Sequence, residues 1–471
     1  MFRIYAHWGL PRTLPPPSLS LTRGRVCVRS YQAHQQQGEE LISWVRQNGG
    51  HVHPSLCLSS IGNGGMGLIA TQPLVSGTLL ITLPPHLPLS LPNSPASSSP
   101  DYTLAQLTKL VPDELWALKL GLKVLMERAH IGSFWWPYIC NLPQRFNVPF
   151  FFTGPEITNL QYPPVIYQVK RRCRALLDLE KELRNILTEV PSNQHPFGGQ
   201  EVNASSLGWA MAAVSSRAFQ MHNSKGSARL MLPLIDMCNH SFSPNARIIQ
   251  QESKEGTSFS VIADRHLEEG ADILLTYGAL SNDILLLDYG FVVAENPHDF
   301  VEMRYDKAML DAARMAARLN GDGFSQSAVS RQSILEQLNL EGAGASLQVN
   351  FGGPKLVDGR LLAALRVLYA QDSDYDSVQQ RNLSELQMLD GAPLGDVIEK
   401  KSLKTLVAIC ALLLGHFPTS ITEDENILKK IDLTEAGRLA LEYRVAKKKL
   451  LVDCIQALSR RITSLEKDTM Q

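Results

Sequence analysis

The sequence predicts an α+β protein: a β-rich domain split by a helical insert and followed by an all-α C-terminal domain. Three observations point there. Short β-branched segments bounded by turn residues occur before residue 85 and return after residue 245. Between them apolar residues recur at helical spacing, and past residue 300 that spacing holds almost throughout. The predicted bounds are residues 39–295 for the first domain, with its insert at about 88–204, and residues 296–471 for the second.

A chain of 471 residues is long enough for two or three domains, and 44% hydrophobic with 19% charged residues suits a globular protein with a sizeable core. The net charge of −1 supplies no global pull toward nucleic acid or acidic lipid, so neither is an expected partner. The longest apolar run, Leu406–Leu414, falls short of the roughly 20 residues that cross a bilayer. Seven cysteines (27, 57, 140, 173, 238, 410 and 454) include no Cys-x-x-Cys. That argues for free thiols in a reducing compartment and against a zinc cluster, and no metal site is expected.

Residues 1–38 carry Arg3, Arg12, Arg23, Arg25 and Arg29 and no acid. Such a segment reads as an organelle transit peptide or as a disordered basic tail, and it is set apart from the fold. Glu39–Gln47 then places Leu41, Ile42 and Val45 on one helical face and stops at Asn48-Gly49-Gly50. Extended pieces follow at Val52–Leu58 and Thr78–Leu83, the latter closed by Pro84-Pro85. Pro88–Pro100 is a Pro/Ser-rich linker.

The insert shows two apolar faces, Leu115, Leu118, Leu122, Leu125 and Val169, Cys173, Leu176, Leu179, Leu183, Ile186. Between them Phe134-Trp135-Trp136-Pro137-Tyr138 reads as core packing rather than ligand stacking. A polar linker at Pro191–Gln200 leads to a helix with Leu207, Met211 and Val214 inward, ending near Ser216–Phe219. Strands are predicted at Ala246–Gln250, Ser258–Ala263 and Ile273–Tyr277, and a helix over Asn282–Asp288 delivers Tyr289. In the last domain Ala408–Leu414 is apolar all round and predicted buried. The final helix carries Arg444, Lys447, Lys448, Lys449, Arg460 and Arg461, by default a solvated basic face and more pointedly a dock for an acidic partner.

The chain is organised around Leu230–Asn245, where an apolar run ends at Pro233 and a dense polar group follows: Asp236, Asn239, His240, Ser241 and Asn245. Buried polar groups need partners, so this cluster marks a site. Tyr277-Gly278 and Tyr289-Gly290-Phe291 each end an apolar segment with an aromatic beside a glycine. Upstream, Gly62-Asn63-Gly64-Gly65-Met66-Gly67 lacks the Lys-Ser/Thr of a phosphate loop, and by itself reads as a tight turn or a place where something approaches the backbone.

Taken in order, the glycine loop, Ser216-Arg217-Ala218-Phe219, Asp236 with Asn239-His240-Ser241, Tyr277-Gly278 and Asp288-Tyr289-Gly290-Phe291 resemble the SET-domain protein methyltransferases. The split by a helical insert and the trailing helical domain narrow the resemblance to the class of the plant Rubisco large-subunit lysine methyltransferase. The resemblance implies S-adenosylmethionine as cofactor, held by Gly64, Gly65, Met66, Arg217, Asn239 and His240, with Tyr277 catalytic. It implies an acceptor channel of Phe219, Tyr289 and Phe291, with Asp236 either on the substrate side or in a structural hydrogen bond.

The implied activity is methyl transfer to a lysine of a non-histone protein by a monomer, in the chloroplast stroma, with mitochondrion or cytosol as alternatives. A histidine acceptor and a non-catalytic SET-fold binding module are the rival readings. A nucleotide-binding use of the glycine loop is a weaker third. Gly64 stands where some relatives have an acid and Met221 where some have a base, which leaves the substrate open.

Overall fold

The computed structural model describes residues 38–61, 65–91, 99–223, 226–319, 329–371, 382–430 and 432–468. The leader expected over residues 1–38 therefore lies outside the described residues save for its last position, as do Gly64 and residues 92–98 of the Pro/Ser-rich linker. The chain divides into two compact units, neither contiguous in sequence. The first comprises Met1–Thr153, Val169–Ala279 and Asp288–Gly290, the second Gly154–Gln168, Leu280–Leu287 and Phe291–Gln471.

The first unit opens with a helix over residues 38–47, whose Leu41 and Val45 are fully buried. Its strands are β1 (His51–Val52), β2 (Leu56–Ile61), β3 (Gly65–Ala70), β4 (Leu79–Leu83), β5 (Ala218–Asn223), β6 (Gly226–Met231), β7 (Asn239–His240), β8 (Ala246–Ser253), β9 (Gly256–Ala263) and β10 (Leu274–Leu275). An antiparallel sheet runs β1-β4-β9-β8, and β2-β3 and β5-β6 are hairpins. Along β9 the residues Phe259, Val261 and Ala263 are buried in alternation, as one covered sheet face requires.

Between β4 and β5 come the helices Ala117–Ala129 and Ala204–Ser215, packed closely enough that a Cβ at Gly121 would lie 3.2 Å from the carbonyl of Ala210. Asn203 starts the second of these with a capping box to Ser206, and the predicted inward residues Leu207, Met211 and Val214 are buried. Of the aromatic segment, Tyr138 is core, whereas Phe134 keeps a partly exposed edge against Trp44.

Three local expectations change. The helix expected to end near Ser216–Phe219 ends at Ser215, but the chain beyond Arg217 then forms an unforeseen strand, β5, which pairs with β6 from Ala218↔Met231 to Asn223↔Gly226. The strand expected over Ile273–Tyr277 keeps only Leu274–Leu275 as ladder, since its partner β7 is two residues long. Over Asn282–Asp288, only Asn282–Ile284 is α-helical, and Leu285–Tyr289 widens into a π-turn.

The second unit is helical, with Gly359–Tyr369, Asp396–Gly415 and the long Glu435–Asp468 at its centre. Its departure from the all-helical expectation is an antiparallel pair, β11 (Phe300–Arg304) with β12 (Gln348–Gly352). The short alternating segments Phe300-Val-Glu-Met-Arg and Gln348-Val-Asn-Phe-Gly bury Val301, Met303, Val349 and Phe351, a period of two that the surrounding helical pattern masks. The apolar run Ala408–Leu414 is buried only over Ala408–Cys410; Ala411 is exposed and Leu412–Leu414 are half-buried.

The basic face read on the last helix is not solvated where it is densest. Arg444, Lys447 and Lys448 are among the most buried side chains of this unit. Lys447 Nζ lies 2.6 Å from Asp283 and 2.7 Å from Asp299, and Tyr443 donates to the same Asp283 at 2.6 Å. Lys448 and Arg444 share Asp424 at 2.5 and 2.6 Å. Arg366, fully buried, spans Glu399 with two nitrogens and gives the rest of its hydrogen bonds to the carbonyls of Leu386, Met388 and Gly391. Buried charges persist only when paired and bonded in this way.

Lys447→Ala, which strands two buried carboxylates, is therefore expected to cost about 3–5 kcal/mol of unfolding free energy. Lys449→Ala, two residues along the helix but with a half-exposed side chain paired to Glu425, is expected to cost less than ~1 kcal/mol. Urea titration of both variants reads this directly, and equal small losses would contradict the buried assignment.

Candidate active site

The site grows from the backbone between β6 and β8. After Pro233 the chain turns at Leu234, a fully buried residue in the left-handed region (φ 69°), a conformation worth roughly 1–3 kcal/mol of strain. One tight turn, Ile235–Met237, redirects it into β7, which lies parallel to β10 with Asn239 opposite Leu274 and His240 opposite Leu275. The clamp is extended by Ser241, whose N–H donates to Leu275 O, and by Asn245, whose side chain accepts from Leu274 N–H and donates to Asp272 O at 2.8 Å each.

On its other side this returning strand is bonded to the glycine-loop hairpin: Ile273 N–H donates to Leu68 O, and β3 also packs on the Ile235–Met237 turn. So Gly65 and Met66, Asn239–His240 and the approach to Tyr277 are laced into one layer by main-chain bonds. A Cβ built on Gly65 would meet nothing within 4 Å, so the backbone there faces open space.

Tyr277 is held three ways. Its N–H donates to His240 Nδ1 at 3.1 Å, which sets His240 as the Nε2–H tautomer. Its hydroxyl donates to Cys238 O at 2.7 Å, and its ring lies 5.1 Å from His240 and stacks on Tyr289 at 5.0 Å and 22°. Burial pushes the Tyr277 phenol above its usual range, with Arg217 opposing, so at neutral pH it is a donor and not a base. Burial and Asp288 likewise push Tyr289 up to about 12.

Tyr289 arrives on the π-turn and is fixed by its neighbours. The Asp288 carboxylate pairs with Arg172 at 2.6 Å, and its carbonyl accepts from Ser215 Oγ at 3.1 Å. Gly290 has φ 76°, and a Cβ there would sit 2.8 Å from Asn147 O. Only glycine meets both conditions.

A second group adjoins the first. Arg217 Nη1 donates to Asp236 O at 2.8 Å and stands 3.9 Å from its carboxylate, while Tyr138 donates to Asp236 Oδ2 at 2.5 Å. Burial raises the Asp236 carboxyl to about 6, opposed by Arg217 and by the Tyr138 hydrogen bond. Among the described residues Arg217 Nε is buried with no acceptor. A guanidinium held by Asp236 through Nη1 fits the carboxylate of an amino-acid ligand such as S-adenosylmethionine.

Of the residues marked in the sequence, the structure thus brings together Arg217, Asp236, Asn239, His240, Tyr277 and Tyr289, with Gly65 and Met66 on the adjoining strand. Phe219 lies on β5, two residues beyond Arg217 and paired with Leu230. Phe291 belongs to the second unit, its N–H donating to Leu285 O at 3.3 Å. Sequence reasoning missed Tyr138, Arg172 and Ser215 as supports. A lone tyrosine in a Trp-rich run and one arginine in a basic helix carry no signal of which acid they meet.

A family model described as the SET domain matches residues 65–278, and one described as Rubisco LSMT substrate-binding matches residues 325–451. Similar curated proteins include the actin-histidine N-methyltransferases of Papio anubis (25% identical over 435 residues, 89% of this chain and 67% of that protein) and Homo sapiens (25% identical over 435 residues, 89% and 68%). That of Gallus gallus is 23% identical over 424 residues, 89% and 68%. Among solved structures, the SET domain of LSMT bound to lysine and AdoHcy aligns with TM-score 0.64 at 17% identity, over 92% of this chain and 93% of that one. Rubisco LSMT bound to AdoMet aligns with TM-score 0.62 at 17% identity over the same shares. The chain belongs to the SET-domain protein methyltransferases of the Rubisco LSMT-like class.

Proposed function

We propose that this protein methylates an imidazole nitrogen of a histidine side chain in another protein. The lysine acceptor expected from the sequence gives way, because the similar curated proteins are histidine enzymes. The observation that carries the reading is the character of the groups around Tyr277. Its own phenol and that of Tyr289 are held protonated, burial pushes the Cys238 thiol up, and His240 Nδ1 already accepts the Tyr277 N–H. Among the described residues packed here, the one weak base, Asp236, has an oxygen engaged by Tyr138.

Such a site is poorly equipped to strip an ammonium. Neutralising a lysine of pKa ~10.4 at pH 7 costs about 4.6 kcal/mol, whereas an imidazole near 6.5 is already mostly neutral. The acceptor then needs orientation and a dry environment more than a base.

When bound, S-adenosylmethionine supplies an electrophilic methyl group on a sulfonium. Arg217 offers its guanidinium to the cofactor carboxylate, and the main chain at Gly65, Met66, Asn239 and His240 lines the bed beside it. Tyr277 and Cys238 O form a fixed polar rim where the acceptor nitrogen is steered. Tyr289, stacked on Tyr277, and Phe219 supply apolar wall. The convergence of Arg217 and Tyr277 on the Asp236–His240 segment counts against the binding-module reading.

Full-length protein incubated with methyl-labelled S-adenosylmethionine and actin, followed by acid hydrolysis and amino-acid analysis, is expected to place the label in methylhistidine. Label in methyllysine alone would refute the histidine reading. In the same assay Tyr277→Phe is expected to lower kcat by on the order of 10²-fold while S-adenosylhomocysteine still binds. Arg217→Lys is expected to weaken that binding by about 10-fold or more, since an ammonium cannot reproduce the fork. Gly290→Ala, forced into a left-handed conformation against Asn147 O, is expected to destabilise the fold by ~1–3 kcal/mol and to lower kcat by displacing Tyr289; a melting curve beside the assay checks both.

A further inference from the structure

The most heavily buried polar contact at the site is one that the transfer itself does not use. Tyr138 and the side chain of Asp236 are both fully out of solvent, joined at 2.5 Å, and they come from elements 98 residues apart. Tyr138 sits in the short helix Trp136–Ile139, Asp236 in the Ile235–Met237 turn, and Arg217 just past the helix Ala204–Ser215. Arg217 Nη1 lies against both the carbonyl and the carboxylate of Asp236, so Asp236 sets how the guanidinium is turned. The second carboxylate oxygen, Oδ1, is buried with no hydrogen-bond partner among the described residues.

We propose that Tyr138 and Asp236 are positioning residues that aim Arg217 at the cofactor carboxylate and make cofactor affinity depend on the ionisation of Asp236. This rests on the cofactor role assigned to Arg217 above. The ionised carboxylate attracts the near edge of the guanidinium and fixes its orientation. A proton on Asp236 removes that attraction and leaves a buried cation beside a neutral acid. The cofactor, with one carboxylate, one ammonium and one sulfonium, carries a net positive charge, so the buried anion favours it as well.

The sign of the pH effect follows. With Asp236 raised to about 6 by burial, it is ionised at pH 7 to 8 and affinity is full there; affinity falls as pH drops through 6. The charged and titratable groups facing it are Arg217, which opposes the rise, Tyr138, which opposes it through its hydrogen bond, and Cys238 and Tyr277, which feel its charge. His240 lies against Tyr277, so the test must separate its titration from that of Asp236.

The experiment is calorimetric titration of the full-length protein with S-adenosylmethionine and with S-adenosylhomocysteine between pH 5 and 8, with circular dichroism melts as a folding control. Wild type is expected to lose affinity below pH 6, approaching 10-fold per pH unit for one linked proton. Tyr138→Phe removes a contact that lowers the Asp236 pKa, so the midpoint is expected to move up by about half a unit to one unit, with affinity at pH 6 down by about 2- to 5-fold and at pH 7 by less than about 2-fold. Asp236→Asn is expected to bind weakly at every pH with a flat profile, which separates Asp236 from His240.

If both variants melt earlier yet keep the wild-type affinity and midpoint, the pair is merely structural and the proposal is overturned. If Tyr138→Phe fails to fold, the wild-type profile decides: affinity constant from pH 5 to 8 refutes it. A wild-type protein that binds neither ligand overturns the cofactor reading itself, an outcome distinct from either of these.

Discussion

The short parallel contact between β7 and β10 is the constraint on which the site depends. Two residues of ladder carry little energy alone, yet they oblige the chain at 235–241 to run alongside the segment at 272–277, and the Asn245 side chain and the Ile273-to-Leu68 bond close that arrangement on either side. Everything chemical hangs from this crossing. Tyr277 can reach both His240 Nδ1 and Cys238 O only because the two strands share direction and register. The left-handed Leu234 is the local cost of steering the chain into it.

The two units use buried charge in different ways. In the second, Arg366 with Glu399, Lys447 with Asp283 and Asp299, and Arg444 and Lys448 with Asp424 are closely paired and bonded, as expected of ion pairs that specify packing. In the first, among the described residues, one oxygen of Asp236 and one nitrogen of Arg217 have no hydrogen-bond partner, and in the second the Nε of Arg444 has none either. The difference lies in the pairing distance: Arg217 stands 3.9 Å from the Asp236 carboxylate, whereas the pairs of the second unit meet at 2.5–2.7 Å. The same contrast explains why a helix rich in lysine and arginine turned out to be half core.

Much of this was legible in the chain. Helical faces such as Leu115, Leu118, Leu122 and Leu125 identify themselves by spacing, and the polar cluster after Pro233 announces a site because so many hydrogen-bonding side chains follow an apolar run. What stayed hidden depended on contacts across long separations. Periodicity cannot tell that Lys447 meets Asp299, 148 residues earlier, nor that Tyr138 meets Asp236. The hairpin β5-β6 was obscured because Ala218-Phe219 continues a helical apolar pattern until Gly226–Met231 offers it a partner. The acceptor was the hardest reading. The chain is similar both to actin-histidine N-methyltransferases and to an LSMT structure bound to lysine, so the motif residues by themselves do not name the acceptor.

The central claim is that Arg217, the Gly65–Met66 strand, Asn239–His240 and Tyr277 surround a single amino-acid-bearing ligand. A crystal structure of the protein grown with S-adenosylhomocysteine tests it most directly. The ligand carboxylate is expected on the guanidinium of Arg217 and its thioether beside the Tyr277 hydroxyl. Ligand density elsewhere on the chain, or a ligand carboxylate away from the Arg217 guanidinium, would contradict the claim.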